Sequence, residues 1–126
     1  MPYVFRRLYP YRDKDAAKSF YEIWVTRQVM KFARSLDAEV HRRFVGLLVK
    51  TANEGKFRND EIYNNIGDDV SEFKYRNARI YSFDDGRRVV LTHGYEGKHR
   101  NRASKEKETT KKIKNEYMEW KRGRSK

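Results

Sequence analysis

Residues 70–84 read as two short strands, VSEFKYR (70–76) and ARIYSFD (78–84). Alternate residues of a strand share a face, so Glu72, Lys74 and Arg76 point one way and Phe73 and Tyr75 the other. The aromatics belong in a core, which puts Lys74 and Arg76 on the opposite face. Arg79, one tight turn later, reaches the same area. A second cluster, Lys98-His99-Arg100-Asn101-Arg102, follows the next strand. Lys, Arg, His and Tyr together suit phosphodiester cleavage without a metal. That reaction needs a base for the attacking hydroxyl, cations for the crowded phosphorane, and an acid for the leaving oxygen. RNA brings its own nucleophile, the 2′-hydroxyl. An imidazole suits proton transfer near neutrality, and His99 is the histidine closest to the cations. Arg79, Lys98 and His99 are therefore the expected catalytic residues, with Lys74, Arg76, Arg100 and Arg102 as RNA-phosphate binders. A solvated strand face would carry similar residues; the second basic cluster beside it favours chemistry.

Other candidates have plainer readings. His93 comes two residues after Leu91 in RRVVLTHGY (87–95) and is expected as a hydrogen-bonded structural histidine. His41 is expected on the surface. Tyr75 and Tyr95 are of a type that stacks bases, though strand tyrosines more often sit in cores. The pairs Asp68-Asp69 and Asp84-Asp85 fall in turns and do not resemble the carboxylate set of a two-metal nuclease. The chain has no cysteine, and its three histidines are scattered, so no metal or cofactor is expected. Glycine loops for phosphates or dinucleotides are lacking, as are internal repeats.

These side chains must be positioned by a chain of 126 residues, enough for one core. Only 37% of residues are hydrophobic, but 9 Tyr, 7 Phe and 2 Trp supply large buried areas. A net charge of +12 favours a polyanionic partner, nucleic acid before membrane, since no apolar run approaches a transmembrane length. The cysteine-free composition and the lack of a signal-peptide core in MPYVFRRLYP fit a cytoplasmic protein.

SFYEIWVT (19–26) has strand alternation, with Trp24 making its outer face unusually apolar. Val29, Phe32, Ala33 and Leu36 form one helical stripe. Asp37 is placed to cap a second helix over 38–54, with Val40, Phe44, Leu47 and Leu48 inward and Gly55 as its stop. Gly46 inside that helix predicts a close neighbour. KFRNDEIYNNIGDD (56–69) reads as a polar connector. Asp85-Gly86 predicts a hairpin before the strand 87–95, and Asn77 marks a tighter one. Residues 98–126 hold 12 Lys or Arg against 4 Glu, eight of the twelve net charges. A basic helix over 104–122 would dock through Ile113, Tyr117 and Trp120, and the last four residues, GRSK, are expected to be mobile. The expected class is α+β. Two helices cover one face of a mainly antiparallel sheet, and the other face is left open for a ligand.

FARSLDAEVHRRFVGLLVKTANEG followed by SEFKYRNARIYSFDDGRRVVLTHGYEGKHRN resembles the RelE/HigB superfamily of bacterial toxin–antitoxin toxins, in its HigB-like, phage-associated branch. The resemblance spans roughly residues 19–122. It rests on Glu72-Phe73-Lys74, the Arg-Ile-Tyr strand 79–81, and the Leu-Thr-His-Gly-Tyr run 91–95 ahead of the basic cluster. It implies a small RNase fold with a curved sheet, two helices behind it and a third at the C-terminal end. It also implies metal-free cutting of messenger RNA on the ribosome, growth arrest, and neutralisation by a cognate antitoxin, in this setting a helix-turn-helix protein. Arg79 matches the arginine that opens the second strand of the motif. Lys98 and His99 fall where relatives carry basic or His-Tyr active residues. Lys74 departs from the family's arginine, exchanging a guanidinium fork for a point charge. Two alternatives within the fold are a ParE-like toxin directed at DNA gyrase and a noncatalytic RNA- or ribosome-binding module. The organisation implied is an N-terminal extension (1–18), the toxin-like domain (19–122) and the tail (123–126).

Overall fold

The computed structural model describes residues 5–9, 21–55, 63–97 and 103–124. Six strands form one mixed sheet in the order β1-β2-β6-β5-β4-β3. They are β1 (Phe5–Tyr9), β2 (Glu22–Thr26), β3 (Tyr63–Gly67), β4 (Val70–Tyr75), β5 (Ala78–Asp85) and β6 (Arg88–Glu96). The helices are α1 (Arg27–Ser35), α2 (Ala38–Glu54) and α3 (Ala103–Arg124). Among the described residues β2 and β6 run parallel, and the other four pairings are antiparallel.

The parallel pair follows from α1 and α2, which carry the chain across one face before the meander β3–β6 returns it beside β2. Thr26 makes the first corner. Its Oγ1 accepts from the Val29 amide at 3.2 Å and donates to the Thr92 carbonyl at 2.8 Å, so one hydroxyl caps α1 and fastens it to β6. Asp37 stands at the N-cap position of α2, but its carboxylate makes no capping bond. His41 is half-buried rather than a surface residue: its Nδ1 lies 2.7 Å from the Ala33 carbonyl and ties α2 to the end of α1.

Ile23, Val25, Phe73, Ile80, Val89 and Leu91 point to the α1–α2 side and meet Val29, Val40, Phe44 and Leu48. Gly94 is required here. A Cβ at that position would lie 2.2 Å from the Phe32 ring. Gly46, by contrast, has nothing within 4 Å of the position a Cβ would take, so the close neighbour expected for it does not exist.

The second face of the sheet is not open, which corrects the sequence expectation. α3 lies along it and closes a second core of Phe5, Trp24, Phe83, Val90, Ile113 and Tyr117, with Trp120 packed against it. The outward Trp24 is thereby explained, since its indole stands 5.7 Å from that of Trp120. Ile113, Tyr117 and Trp120 form the expected stripe, but Glu106 and Thr110 continue it at the same spacing and are also buried. They escaped the apolar pattern because their partners on the sheet are polar.

Strand β1 lies within the N-terminal segment assigned as an extension and pairs with β2; β3 lies within the segment assigned as a connector and pairs with β4. The β3–β4 turn uses Asp68 and Asp69, both at positive φ (56° and 62°), as the turn reading of that pair required. In the β5–β6 hairpin Asp85 is still in the strand, paired with Arg88, and Gly86 alone takes positive φ (60°). Helix α3 runs through Arg124, two residues into the expected tail.

Candidate active site and nucleic-acid interface

Antiparallel register sorts the α3-facing residues of β4, β5 and β6 into two cross-strand rows. Glu72, Tyr81 and His93 form one; Lys74, Arg79 and Tyr95 form the next, nearer the end of β6. The first row is covered. Glu72 and Tyr81 are buried, the His93 side chain is 14% exposed, and Glu106 of α3 closes over it. The second row is half-exposed at all three positions.

The two rows are joined by a diagonal ion pair, Arg79 Nη1 to Glu72 Oε1 at 2.9 Å. The carboxylate fixes the guanidinium while Arg79 Nε, buried with no acceptor among the described residues, remains an unused donor. Lys74 sits directly opposite Arg79 on the neighbouring strand. Facing cations of this kind destabilise a bare sheet, and an anion bound between them would relieve the repulsion. Among the described residues Lys74 forms no ion pair.

A β-bulge aims the first row. The pairing shifts between Tyr81 and Ser82, where Tyr81 partners His93 but Ser82 partners Leu91. Thr92 is the extra residue, and both it and His93 turn towards α3. His93 and Leu91 consequently face opposite sides of the sheet, a reversal that simple alternation could not anticipate. Thr92 Oγ1 lies 3.2 Å from the Tyr81 carbonyl, 3.2 Å from Thr110 Oγ1 and 2.9 Å from His93 Nδ1. Its single proton satisfies the carbonyl, which can only accept, so Thr110 and the His93 ring donate to it. His93 Nε2 meets Glu106 Oε2 at 2.8 Å. Both His93 nitrogens are thus engaged, Nδ1 by Thr92 and Nε2 by the buried carboxyl of Glu106. Tyr81 stacks on it at 4.9 Å between ring centroids. The histidine is structural, as its sequence context suggested, and it seats the N-terminal half of α3.

The other end of α3 is held by Tyr117. Its hydroxyl donates to Asp85 Oδ2 at 2.6 Å and accepts from Arg88 Nη1 at 3.1 Å. Burial, followed by the bond to Asp85, pushes the Tyr117 phenol up to about 12. Burial alone would raise the Asp85 carboxyl. Hydrogen bonds from Lys121 and Tyr117, with Arg88 close by, outweigh it and hold the group below its ordinary value. At the β3–β4 turn Lys111 pairs with Asp68 at 3.0 Å.

Of the sequence-predicted residues, Lys74 and Arg79 are brought together. Arg76 is not. It occupies the β4–β5 turn at φ 54°, is exposed, and bonds Glu39 of α2 at 3.1 Å, away from the α3-facing rows. Alternation ends where the turn begins, and the positive φ swings the side chain across. Tyr75 goes with it to the α2 side, its hydroxyl bonding Glu39 at 3.1 Å under the guanidinium groups of Arg43 and Arg76. Lys98, His99, Arg100 and Arg102 lie outside the described residues; β6 ends two residues before Lys98. The sequence reading placed Glu72 on this face but gave it no role, and it offered Tyr95 only as a stacking residue. Strand register supplies the signal for both, setting Tyr95 opposite Arg79 and Glu72 diagonal to it. Among the described residues no group of three His, Asp or Glu side chains could hold a metal. No helix among them is long and apolar enough to cross a membrane. No protein-family model matches the chain, and no curated protein matches it.

Proposed function

We propose that the protein is a metal-independent endoribonuclease of the toxin type, acting on messenger RNA through the row Lys74, Arg79 and Tyr95 and the basic segment that follows β6. The observation that carries this reading is the facing pair Lys74 and Arg79, with Arg79 fixed by Glu72 and the row half-exposed beside the end of β6. Two cations on rigid strands can contact a phosphate without rearrangement as its negative charge grows. Such a site works by substrate-internal attack. The 2′-oxygen loses its proton and bonds to phosphorus, the bond to the 5′-oxygen breaks, and that oxygen takes a proton. A cyclic phosphate and a 5′-hydroxyl result. Lys98 and His99 are the expected proton carriers, and Tyr95, opposite Arg79, is the residue we assign to the sugar or a stacked base. The α+β layout, with two helices behind the sheet and a third at the C-terminal end, agrees with the RelE/HigB resemblance. That resemblance also supplies the ribosome as the place of cutting and a tight-binding antitoxin as the control.

One observation favours a second reading, RNA binding without cleavage. His93, the described histidine beside the row, is engaged at both nitrogens by Thr92 and by Glu106 of α3, which covers it, rather than facing the half-exposed row. Induced expression of the wild type and of a folded Lys74→Gln/Arg79→Gln variant separates the two. The first reading predicts growth arrest with cleaved messages and a loss of about 100-fold or more in cleavage for the variant. Arrest with intact messages would favour the binding module, or a gyrase-directed toxin if DNA supercoiling changes.

A further inference from the structure

We infer that α1 carries a second RNA-backbone contact, on the side of the sheet away from the Lys74–Arg79–Tyr95 row, shaped for the phosphates of a double-helical RNA. The inference rests on the reading of the protein as RNA-directed, and it adds a surface which that reading does not use.

Arg27, Lys31 and Arg34 recur at i, i+4 and i+7 and are all exposed. The helix, RQVMKFARS, contains no acidic residue. Arg27 stands in the first turn, where the helix dipole disfavours a cation, and Lys31 has a like charge both four residues before it and three after it. Only Arg34, in the last turn, is placed as helix electrostatics would have it. Several cations on other elements are paired: Arg76 with Glu39, Arg79 with Glu72, Lys111 with Asp68 and Lys121 with Asp85. Among the described residues none of the three α1 cations forms an ion pair. Arg42 of α2, exposed and likewise without an ion pair there, adds a fourth positive charge nearby in sequence.

The shape of the stripe selects the ligand. Seven residues of helix rise about 10 Å, a length that spans about four successive phosphates on one strand of a duplex. The exposed residues of α1 are Arg27, Gln28, Lys31, Arg34 and Ser35, with no aromatic to stack an unpaired base. They also include no apolar side chain to enter a lipid surface. A rigid row of point charges without stacking groups reads backbone geometry alone. Because α1 and α3 lie on opposite faces of the sheet, the duplex and the strand being cut need not compete.

The test measures binding of the full chain to a short RNA duplex over a salt series. Arg27→Gln/Lys31→Gln/Arg34→Gln is compared with Lys105→Gln/Lys112→Gln/Arg122→Gln, which removes the same charge from exposed positions of α3. Each duplex phosphate neutralised contributes about 0.9 to the log–log salt slope. The α1 variant should therefore lower that slope by roughly 2 to 3, the α3 variant by less than about 1, and neither should change cutting of single-stranded message. Equal slopes for both variants would mean net charge alone is read, and the inference falls. It falls too if the wild type binds no duplex, or if the α1 variant loses only binding to anionic vesicles. If Lys74→Gln/Arg79→Gln proves to have no effect on cleavage while the α1 variant still loses duplex affinity, the active-site reading fails and the α1 contact stands.

Discussion

The His93–Glu106 pair sets a sharp test of how α3 is held. Glu106 is 3% exposed, so removing its partner leaves a buried carboxylate without a counter-charge. Breaking one side of such a pair costs about 3–5 kcal/mol, whereas replacing both sides with apolar groups of similar volume is often neutral. His93→Ala should therefore destabilise by that amount, a large share of the roughly 5–15 kcal/mol available to a small domain. His93→Phe/Glu106→Leu should recover most of the loss. Thr92 and Thr110 can still bond each other in that variant, and the Tyr81 ring still has an aromatic to stack on. Urea titration of the wild type, both single variants and the double variant gives the coupling directly. Direct contact with mutual burial predicts at least about 2 kcal/mol. A coupling below about 0.5 kcal/mol, with additive single effects, would refute the view that this pair seats the helix.

Three further outcomes follow from the fold. Gly46→Ala should stabilise by about 1 kcal/mol, read as a higher urea midpoint with unchanged slope, because the added methyl meets open space. Gly94→Ala should destabilise by about 1–3 kcal/mol or more and be partly rescued by Phe32→Leu, since the Phe32 ring occupies the place of the new methyl. The third concerns acid. Asp85 is depressed in the folded state, so its contribution is complete above its unfolded value near 3.9 and is lost as pH falls through the lower folded value. Asp85→Asn should flatten the stability profile below about pH 4, and an unchanged acid limb in that variant would contradict the assignment.

Sequence patterning revealed those parts of the molecule whose signals are local. Helix α2 is found at 38–54 because four apolar residues keep helical spacing between Asp37 and Gly55. Phe73 and Lys74 are assigned to opposite faces because β4 is regular as far as Tyr75. The failures have physical causes. YNNIG pairs as β3 through its backbone, so its side chains carry no alternation. The bulge at Thr92 reverses the phase of His93, and nothing in LTHGY marks where an extra residue enters. Glu106 and Thr110 look like solvent positions until Thr92 and His93 are brought opposite them, which is why the second face of the sheet was expected to be open. Arg76 was misplaced by one step of alternation carried into a turn. Lys74 and Arg79 were legible as a pair, but the carboxylate that orients Arg79 emerged only from register.

The ends left on RNA test the central claim most directly. Messages recovered after induction of the full-length protein are tagged separately for 5′-hydroxyl and 5′-phosphate ends, and for 2′,3′-cyclic phosphates, with Lys74→Gln/Arg79→Gln as the control. Attack by the 2′-oxygen predicts new 5′-hydroxyl ends matched to cyclic phosphates, falling about 100-fold or more in the variant. New 5′-phosphate ends, or hydroxyl ends that persist undiminished when both cations are gone, would contradict it.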